Sequence, residues 1–161
     1  MPESLQDHFM REALKQAKLA LQKGEVPVGV VVVYDNQVIA RSYNQTELLH
    51  DPTAHAEMIA MTQASSVLCE RKQGHRGSLE GASVYVTLEP CPMCAGAMVL
   101  TKCKNLFFGA RDTKAGAAES LYRITDDDRL NHRLSVTGGI LETESRLLLQ
   151  EFFKTLRKDQ R

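Results

Sequence analysis

The sequence has no excess of charge of either sign, since its 161 residues include 20 lysines and arginines and 20 aspartates and glutamates. Proteins that bind nucleic acid usually carry a basic excess or a basic stripe. Any nucleic-acid contact must therefore come from local patches, such as Lys154, Arg157 and Lys158 near the C-terminus. The neutral total by itself favours a small substrate.

Long apolar runs are also lacking. No stretch approaches the roughly 18 apolar residues of a membrane span, so we expect no membrane partner. The first residues show neither the basic head nor the apolar segment of a secretory signal. Of the four cysteines, two stand at C-x-x-C spacing, which without an export signal favours metal binding over disulfides. We expect a cytoplasmic protein, and the length predicts a single domain over residues 1–161.

Hydrophobic periodicity predicts strands that alternate with helices. Helical spacing of apolar residues is found in the first helix and in the last, and β-branched residues dominate the strands. The predicted helices cover residues 5–22, 53–65, 91–100 and 142–158, with a short one at 117–122. The predicted strands cover residues 26–34, 37–44, 82–88, 105–109 and 134–137, and the turn Asp35-Asn36 makes a hairpin of the first two. This order indicates an α/β sandwich.

Two separate motifs supply metal ligands and one free carboxylate. His55 and Glu57 lie at the predicted start of the second helix, and Cys91 and Cys94 lie at the start of the third. A catalytic zinc keeps three protein ligands and leaves a fourth position for water, whereas a structural zinc is normally closed by four. His55, Cys91 and Cys94 therefore predict one catalytic Zn²⁺ per chain. The pattern H-x-E followed by P-C-x-x-C is typical of zinc nucleobase deaminases.

The positions of these residues suit hydrolysis. The positive end of a helix dipole favours the thiolate form of Cys91 and Cys94, which zinc requires. Glu57 is two residues beyond His55, about 200° around a regular helix. It is therefore predicted to reach the water rather than the metal, and to carry protons to the ring and to the leaving ammonia.

A structural zinc module is the alternative without catalysis. It would need a fourth protein ligand, for which Cys69 and Cys103 are the remaining cysteines. The spacing of neither supplies one convincingly, so the catalytic interpretation is preferred.

Several further stretches resemble the family of bacterial tRNA-specific adenosine deaminases. They span nearly the whole chain and are residues 25–29, 51–57, 86–97, 108–112, 131–132 and 152–153, together with Asn44. The resemblance implies a cytidine-deaminase-like three-layer α/β/α sandwich with a five-stranded mixed sheet, assembled as a homodimer. It also implies conversion of adenosine to inosine at the wobble position of a tRNA anticodon stem-loop.

The resemblance also implies roles for individual residues. His55, Cys91 and Cys94 would be the zinc ligands, and Glu57 the proton shuttle. The substrate-binding residues it implies are Asn44 on the inserted base, Val28 and Leu88 lining its pocket, Asp112 beside the neighbouring nucleotide, and Phe153 and Arg157 on the anticodon loop. The competing hypothesis is a free nucleobase deaminase, acting on guanine or cytosine with the same zinc core.

Overall fold

A computed structural model describes residues 2–160, so Met1 and Arg161, the ends of the predicted domain, lie outside the described residues. Four helices and five strands alternate along this part of the chain. The helices are α1 (Leu5–Gln22), α2 (Ala56–Arg71), α3 (Pro92–Leu100) and α4 (Glu142–Asp159). The strands are β1 (Gly29–Tyr34), β2 (Gln37–Tyr43), β3 (Ser83–Leu88), β4 (Asn105–Ala110) and β5 (Ser135–Thr137).

The strands form one mixed sheet in the order β2-β1-β3-β4-β5. β1 is antiparallel to both β2 and β3, whereas β3, β4 and β5 run parallel. In the β1–β2 hairpin, Asp35 and Asn36 both have positive φ angles, of 52° and 59°. Two successive positive φ angles are what a type I′ turn requires, and its twist matches that of the strands. The predicted five-stranded mixed sheet is confirmed.

Helices cover both faces of the sheet. On one face, α2 and α3 bury residues such as Ala60 and Met98 against Val32 and Val86. On the other face, α1 buries residues such as Met10 against the neighbouring side chains of β1 and β3. Successive β1 valines point to opposite cores, which explains the uninterrupted β-branched run. This arrangement confirms the three-layer α/β/α sandwich.

β1 begins three residues later than predicted. The valines and proline of residues 26–28 look like a strand by composition, but Pro27 has no N–H and Val28 N–H donates to the Val26 carbonyl (2.8 Å) in a tight turn. Gly29 then passes so close to α1 that an added Cβ would lie 2.0 Å from the Ala13 carbonyl oxygen. The Gly29 N–H donates to the Thr87 hydroxyl (3.1 Å), and the pairing of Val30 with Val86 brings residues 26–28 to the end of β3, where the candidate site lies.

α2 begins three residues later than predicted and extends to Arg71. The Asp51 carboxylate accepts bonds from the backbone N–H of Thr53 (2.9 Å) and from its hydroxyl (2.7 Å), so it closes a turn of its own rather than capping the helix. The predicted short helix at residues 117–122 is wrong, because this segment forms turns. Among residues 2–160, no helix is both long and apolar enough to cross a bilayer.

Candidate metal and substrate site

Two helix starts converge on the three predicted metal ligands. His55 is the N-cap of α2 and Cys91 is the N-cap of α3, each with extended backbone angles and neither side chain spent on a capping bond. Cys94 lies in the first turn of α3 and is fully buried. The prediction had placed His55 inside the first helical turn. As an N-cap it lies just outside the helix, so its direction relative to Glu57 does not follow the helical 200° rotation.

The ligand atoms are spaced as zinc requires. His55 Nδ1 lies 3.5 Å from Cys91 Sγ and 3.5 Å from Cys94 Sγ. The three ligand atoms all lie within 4.8 Å of one another. Tetrahedral zinc, with bonds of about 2.0 Å to nitrogen and about 2.3 Å to sulfur, separates such atoms by about 3.5 Å. The donor set and its spacing therefore fit one Zn²⁺.

The pKa values of the two thiols are shifted in opposite directions. A hydrogen bond from Cys94, joined by one with His55, lowers the pKa of the Cys91 thiol to about 4 against the effect of burial. The same bond to Cys91, together with burial, raises the pKa of the Cys94 thiol. The hydrogen bond with Cys91 also raises the pKa of His55. Zinc binds cysteine as the thiolate, so a metal held by both sulfurs would require the Cys94 thiol to lose its proton, and its affinity would depend on pH.

Glu57 lies beside this cluster and is only 5% exposed. It is not one of the three residues whose ligand atoms are grouped in the part of the chain that the structure describes. Burial raises the pKa of its carboxyl above the usual value, and the nearby His55 opposes that shift. A carboxyl with a raised pKa is suited to accept and return protons near neutral pH.

A cavity of about 270 Å³ opens over the cluster. Its walls include His55, Glu57 and Cys91, together with all four residues that the sequence assigned to the base pocket and its edge. These four are Val28, Asn44, Leu88 and Asp112. The pairing of β1 with β3 explains two of them, because Val30 opposite Val86 brings the residues just before β1 close to Leu88.

Phe153 and Arg157 lie outside this cavity. A second hollow, of about 390 Å³, shares Leu88 and Asp112 with the cavity and has Phe153 in its far wall. A third hollow, of about 440 Å³, contains both Phe153 and Arg157. The second hollow shares Leu88 and Asp112 with the cavity and Phe153 with the third hollow, so the three lie side by side. The second and third hollows together are called the groove, and Arg157 lines the third, which shares no wall residue with the cavity.

Two buried carboxylates beside the cavity were missed by the sequence analysis. Glu25 is 1% exposed and Glu89 is 2% exposed. Burial alone would raise the pKa of Glu89, but hydrogen bonds from Ser120 and from loop amides outweigh it and hold the pKa below its usual range. Their sequence signal is weak, being a single acidic residue next to an apolar strand segment.

The other two cysteines lie apart from the cluster. Cys103 is buried and lies 3.4 Å from the Thr101 hydroxyl, and Cys69 is exposed near His75. Within residues 2–160, neither joins the group of ligand atoms. The structure therefore gives no support to a site closed by a fourth cysteine.

Comparison with known proteins gives a family match over two thirds of the chain. Residues 3–110 match the family described as the cytidine and deoxycytidylate deaminase zinc-binding region. The tRNA-specific adenosine deaminase of Bacillus subtilis is 45% identical over 93% of this chain and 89% of its own. The protein of that name from Aquifex aeolicus is 44% identical over 95% of this chain and 97% of its own.

Two solved structures are also similar to this chain. A structure from a study of A-to-I editing by tRNA:A34 deaminases at the wobble position is 43% identical, with a TM-score of 0.80 over 88% of this chain and 99% of that one. Guanine deaminase from Bacillus subtilis is 35% identical, with a TM-score of 0.59 over 70% of this chain and 69% of that one. The likeness to the tRNA enzyme is both broader and higher in identity.

Proposed function

Since this chain belongs to the cytidine and deoxycytidylate deaminase family and is a zinc-dependent hydrolytic deaminase, we propose that it converts adenosine to inosine at the wobble position of a tRNA anticodon. Its relatives at 44–45% identity carry the name tRNA-specific adenosine deaminase. The observation that carries the proposal is the cavity, where two of the metal ligands, His55 and Cys91, share one set of walls with Glu57 and the base-pocket residues.

The chemistry replaces the amino group of adenine by oxygen, with water consumed and ammonia released. Bound zinc supplies the acidity that makes water a nucleophile near neutral pH. Glu57 accepts one proton from the attacking water and passes it to the ring nitrogen as the new C–O bond forms. It then takes the remaining proton of the added hydroxyl and passes it to the amino group, so that the C–N bond breaks and ammonia leaves. The half-buried His55 and Cys91 and the buried Cys94 would hold the metal below the base.

The cavity accepts one base at a time. A base inside a stacked helix cannot reach its floor, so the target must be splayed out of a loop. Val28 and Leu88 would pack on the two sides of the ring, and Asn44 would hydrogen-bond to its edge. Asn44 is held for this role, since its backbone N–H donates to the Val28 carbonyl (3.0 Å) and its side-chain amide donates to the Thr46 hydroxyl (3.3 Å).

The groove beyond the cavity would take the rest of the anticodon loop. Asp112 stands at the cavity rim, where the nucleotide beside the target would lie. Phe153, 46% exposed, offers a stacking surface farther along, and Arg157 offers charge at the distal end. These positions supply the local RNA contacts that the neutral total charge requires.

A homodimer is the assembly that we propose, with each subunit a single deaminase domain. Apolar side chains are exposed in the loop after β2, with Leu48 at 57% and Leu49 at 53%, and Leu100 at the C-terminal end of α3 is 83% exposed. Leu49 also lines a hollow of about 350 Å³ with Met58 of α2. An exposed apolar patch of this kind is typical of a protein interface. Sedimentation would test whether the protein has the mass of two chains.

We also propose a cytoplasmic location, because the proposed substrate is a tRNA.

The function is tested with an RNA stem-loop that carries adenosine at the first anticodon position. The zinc-loaded protein should form inosine there, and chromatography of the digested nucleosides would detect it. The matched control carries guanosine at that position and the adenosine in the paired stem, where no inosine should form. Inosine formed equally at both positions, or at neither, would overturn the proposal.

A further inference from the structure

Two buried carboxylates stand on opposite sides of the cavity and take no part in the proposed chemistry. Glu25 precedes β1 and Glu89 follows β3, and both rank among the most completely buried side chains of the molecule. Neither forms an ion pair in the part of the chain that the structure describes. Buried carboxylates without a cationic partner need several hydrogen bonds, and these come from two loops.

Glu89 is surrounded by donors from residues 112–120. Its Oε1 accepts from the backbone N–H of Asp112 (3.1 Å) and from the Ser120 hydroxyl (2.5 Å). Its Oε2 accepts from three consecutive backbone N–H groups, those of Ala118 (3.1 Å), Glu119 (2.8 Å) and Ser120 (2.9 Å). The loop therefore wraps around one carboxylate where a short helix was predicted from the sequence.

Glu25 holds a second loop in the same way. Its Oε1 accepts from the backbone N–H of Glu47 (2.9 Å) and its Oε2 from that of Leu48 (2.9 Å). The Thr46 hydroxyl lies 3.5 Å from Oε1 and also accepts the side-chain amide of Asn44. The carboxylate thus connects to the cavity wall through one intervening hydroxyl.

We propose that Glu25 and Glu89 are positioning residues, which hold the two loops that carry Asn44 and Asp112 at opposite edges of the cavity. A loop fixed before binding does not lose conformational freedom when the RNA arrives. Removing an anchor should therefore weaken binding of the RNA and leave the chemical step largely intact. The expected changes in KM and kcat rest on the proposed function, whereas the anchoring of the loops does not.

The substitution Glu→Gln separates anchoring from packing, because glutamine keeps the size but has only one acceptor atom. At Glu89, all five bonds come from donors, so the amide NH₂ must face a donor in either orientation. In the less costly orientation, the glutamine NH₂ takes the position of Glu89 Oε1, where the Ser120 hydroxyl can rotate and accept a hydrogen bond from it. The backbone N–H of Asp112 then loses its acceptor, so the loop is weakened at the edge of the cavity.

The test compares Glu89→Gln, Glu25→Gln and the unaltered protein by amide hydrogen exchange on the zinc-loaded form. Exchange should rise at residues 112–120 in the first variant and at residues 46–48 in the second. Glu47→Gln is the matched control for Glu25→Gln, since it removes a carboxylate from the same loop while keeping its backbone donor. Unchanged exchange in the loop of each variant would overturn the proposal.

Kinetics on the stem-loop give the second readout. We expect KM to rise by about tenfold or more in each variant, as for loss of a hydrogen bond to a charged group, with kcat changed by less than about threefold. Zinc content should stay at one per chain. A fall in kcat together with loss of zinc would instead assign both residues to the fold of the metal site and would overturn the inference.

A second variant keeps the inference testable if Glu89→Gln fails to fold. At Gly116, an added Cβ would lie 2.4 Å from the Asp112 carbonyl oxygen and 2.4 Å from the Glu89 carboxyl carbon. Gly116→Ala should therefore push the loop off an intact carboxylate and raise exchange and KM in the same way. If the unaltered protein does not deaminate the stem-loop, the proposed function is wrong. The exchange data would still show whether Glu25 and Glu89 hold the two loops.

Discussion

The cavity and the outer face of α4 differ in how much of their side chains is buried. Around the cavity, the ligand atoms lie 3.5 Å apart, Glu57 is 5% exposed, and two buried carboxylates fix the loops. On α4, only Ser145 is buried, and Phe153 and the basic side chains near the C-terminus are open to solvent. Packing thus fixes the groups that need precise geometry, whereas the groups that we propose to contact RNA are exposed.

This difference separates two kinds of defect. A change in the cavity should abolish or slow the chemical step, because bond-making distances depend on the packed side chains. A change on α4 should weaken binding and leave the chemical step alone, because exposed charges contribute through attraction to phosphates. The predictions below test that separation, beginning with the largest effect.

Cys94→Ala should have the largest effect, since it removes a buried ligand from a three-ligand site. We expect zinc content to fall well below one per chain and inosine formation to fall to background, by metal analysis and nucleoside chromatography. Cys69→Ala is the matched control, because this exposed cysteine lies outside the ligand group. Full zinc content in Cys94→Ala would refute the ligand assignment.

Glu57→Gln should keep the metal and lose the reaction. The amide cannot accept the proton of water, so kcat should fall by about 10²–10⁴-fold, as for loss of general acid–base catalysis. Zinc content and the melting temperature should remain close to those of the unaltered protein. Glu70→Gln, an exposed position on the same helix, is the control. A metallated Glu57→Gln enzyme with near-normal turnover would exclude the shuttle role.

Neutralising Lys154, Arg157 and Lys158 together should have the smallest effect and should act on binding alone. If all three contact phosphates, the slope of log affinity against log salt should become shallower by about 2, at about 0.7 per contact for single strands. Zinc content and kcat should not change. The control neutralises three exposed basic residues of α1, namely Arg11, Lys15 and Lys18. An equal change in slope in both variants would argue against a specific contact.

The sequence predicted the features that depend on local chemistry. The third helix begins within one residue of its predicted start at Cys91, and the β-branched run predicts a strand, as β1 is. The partner to which a polar group bonds was not predictable from the sequence. Asp51 stands two residues before the predicted start of the second helix, where capping carboxylates are common, but its carboxylate bonds to Thr53 in a separate turn.

The loop at residues 112–120 shows the same limit. Its alanines favour a helix by propensity, but the backbone N–H groups of Ala118, Glu119 and Ser120 find a better acceptor in the Glu89 carboxylate. Glu89 is 29–31 positions away from these donors in the sequence. A periodicity argument over a local window has no access to it.

The most direct test of the account is the ratio of kcat/KM for the anticodon stem-loop to that for free guanine, measured on one zinc-loaded preparation. Both substrates would use the same zinc and the same Glu57, so the ratio reports the substrate for which the enzyme is specific. The account predicts strong preference for the stem-loop, with inosine at the first anticodon position. Efficient deamination of guanine with the stem-loop left untouched would contradict it and would assign the cavity to a free base.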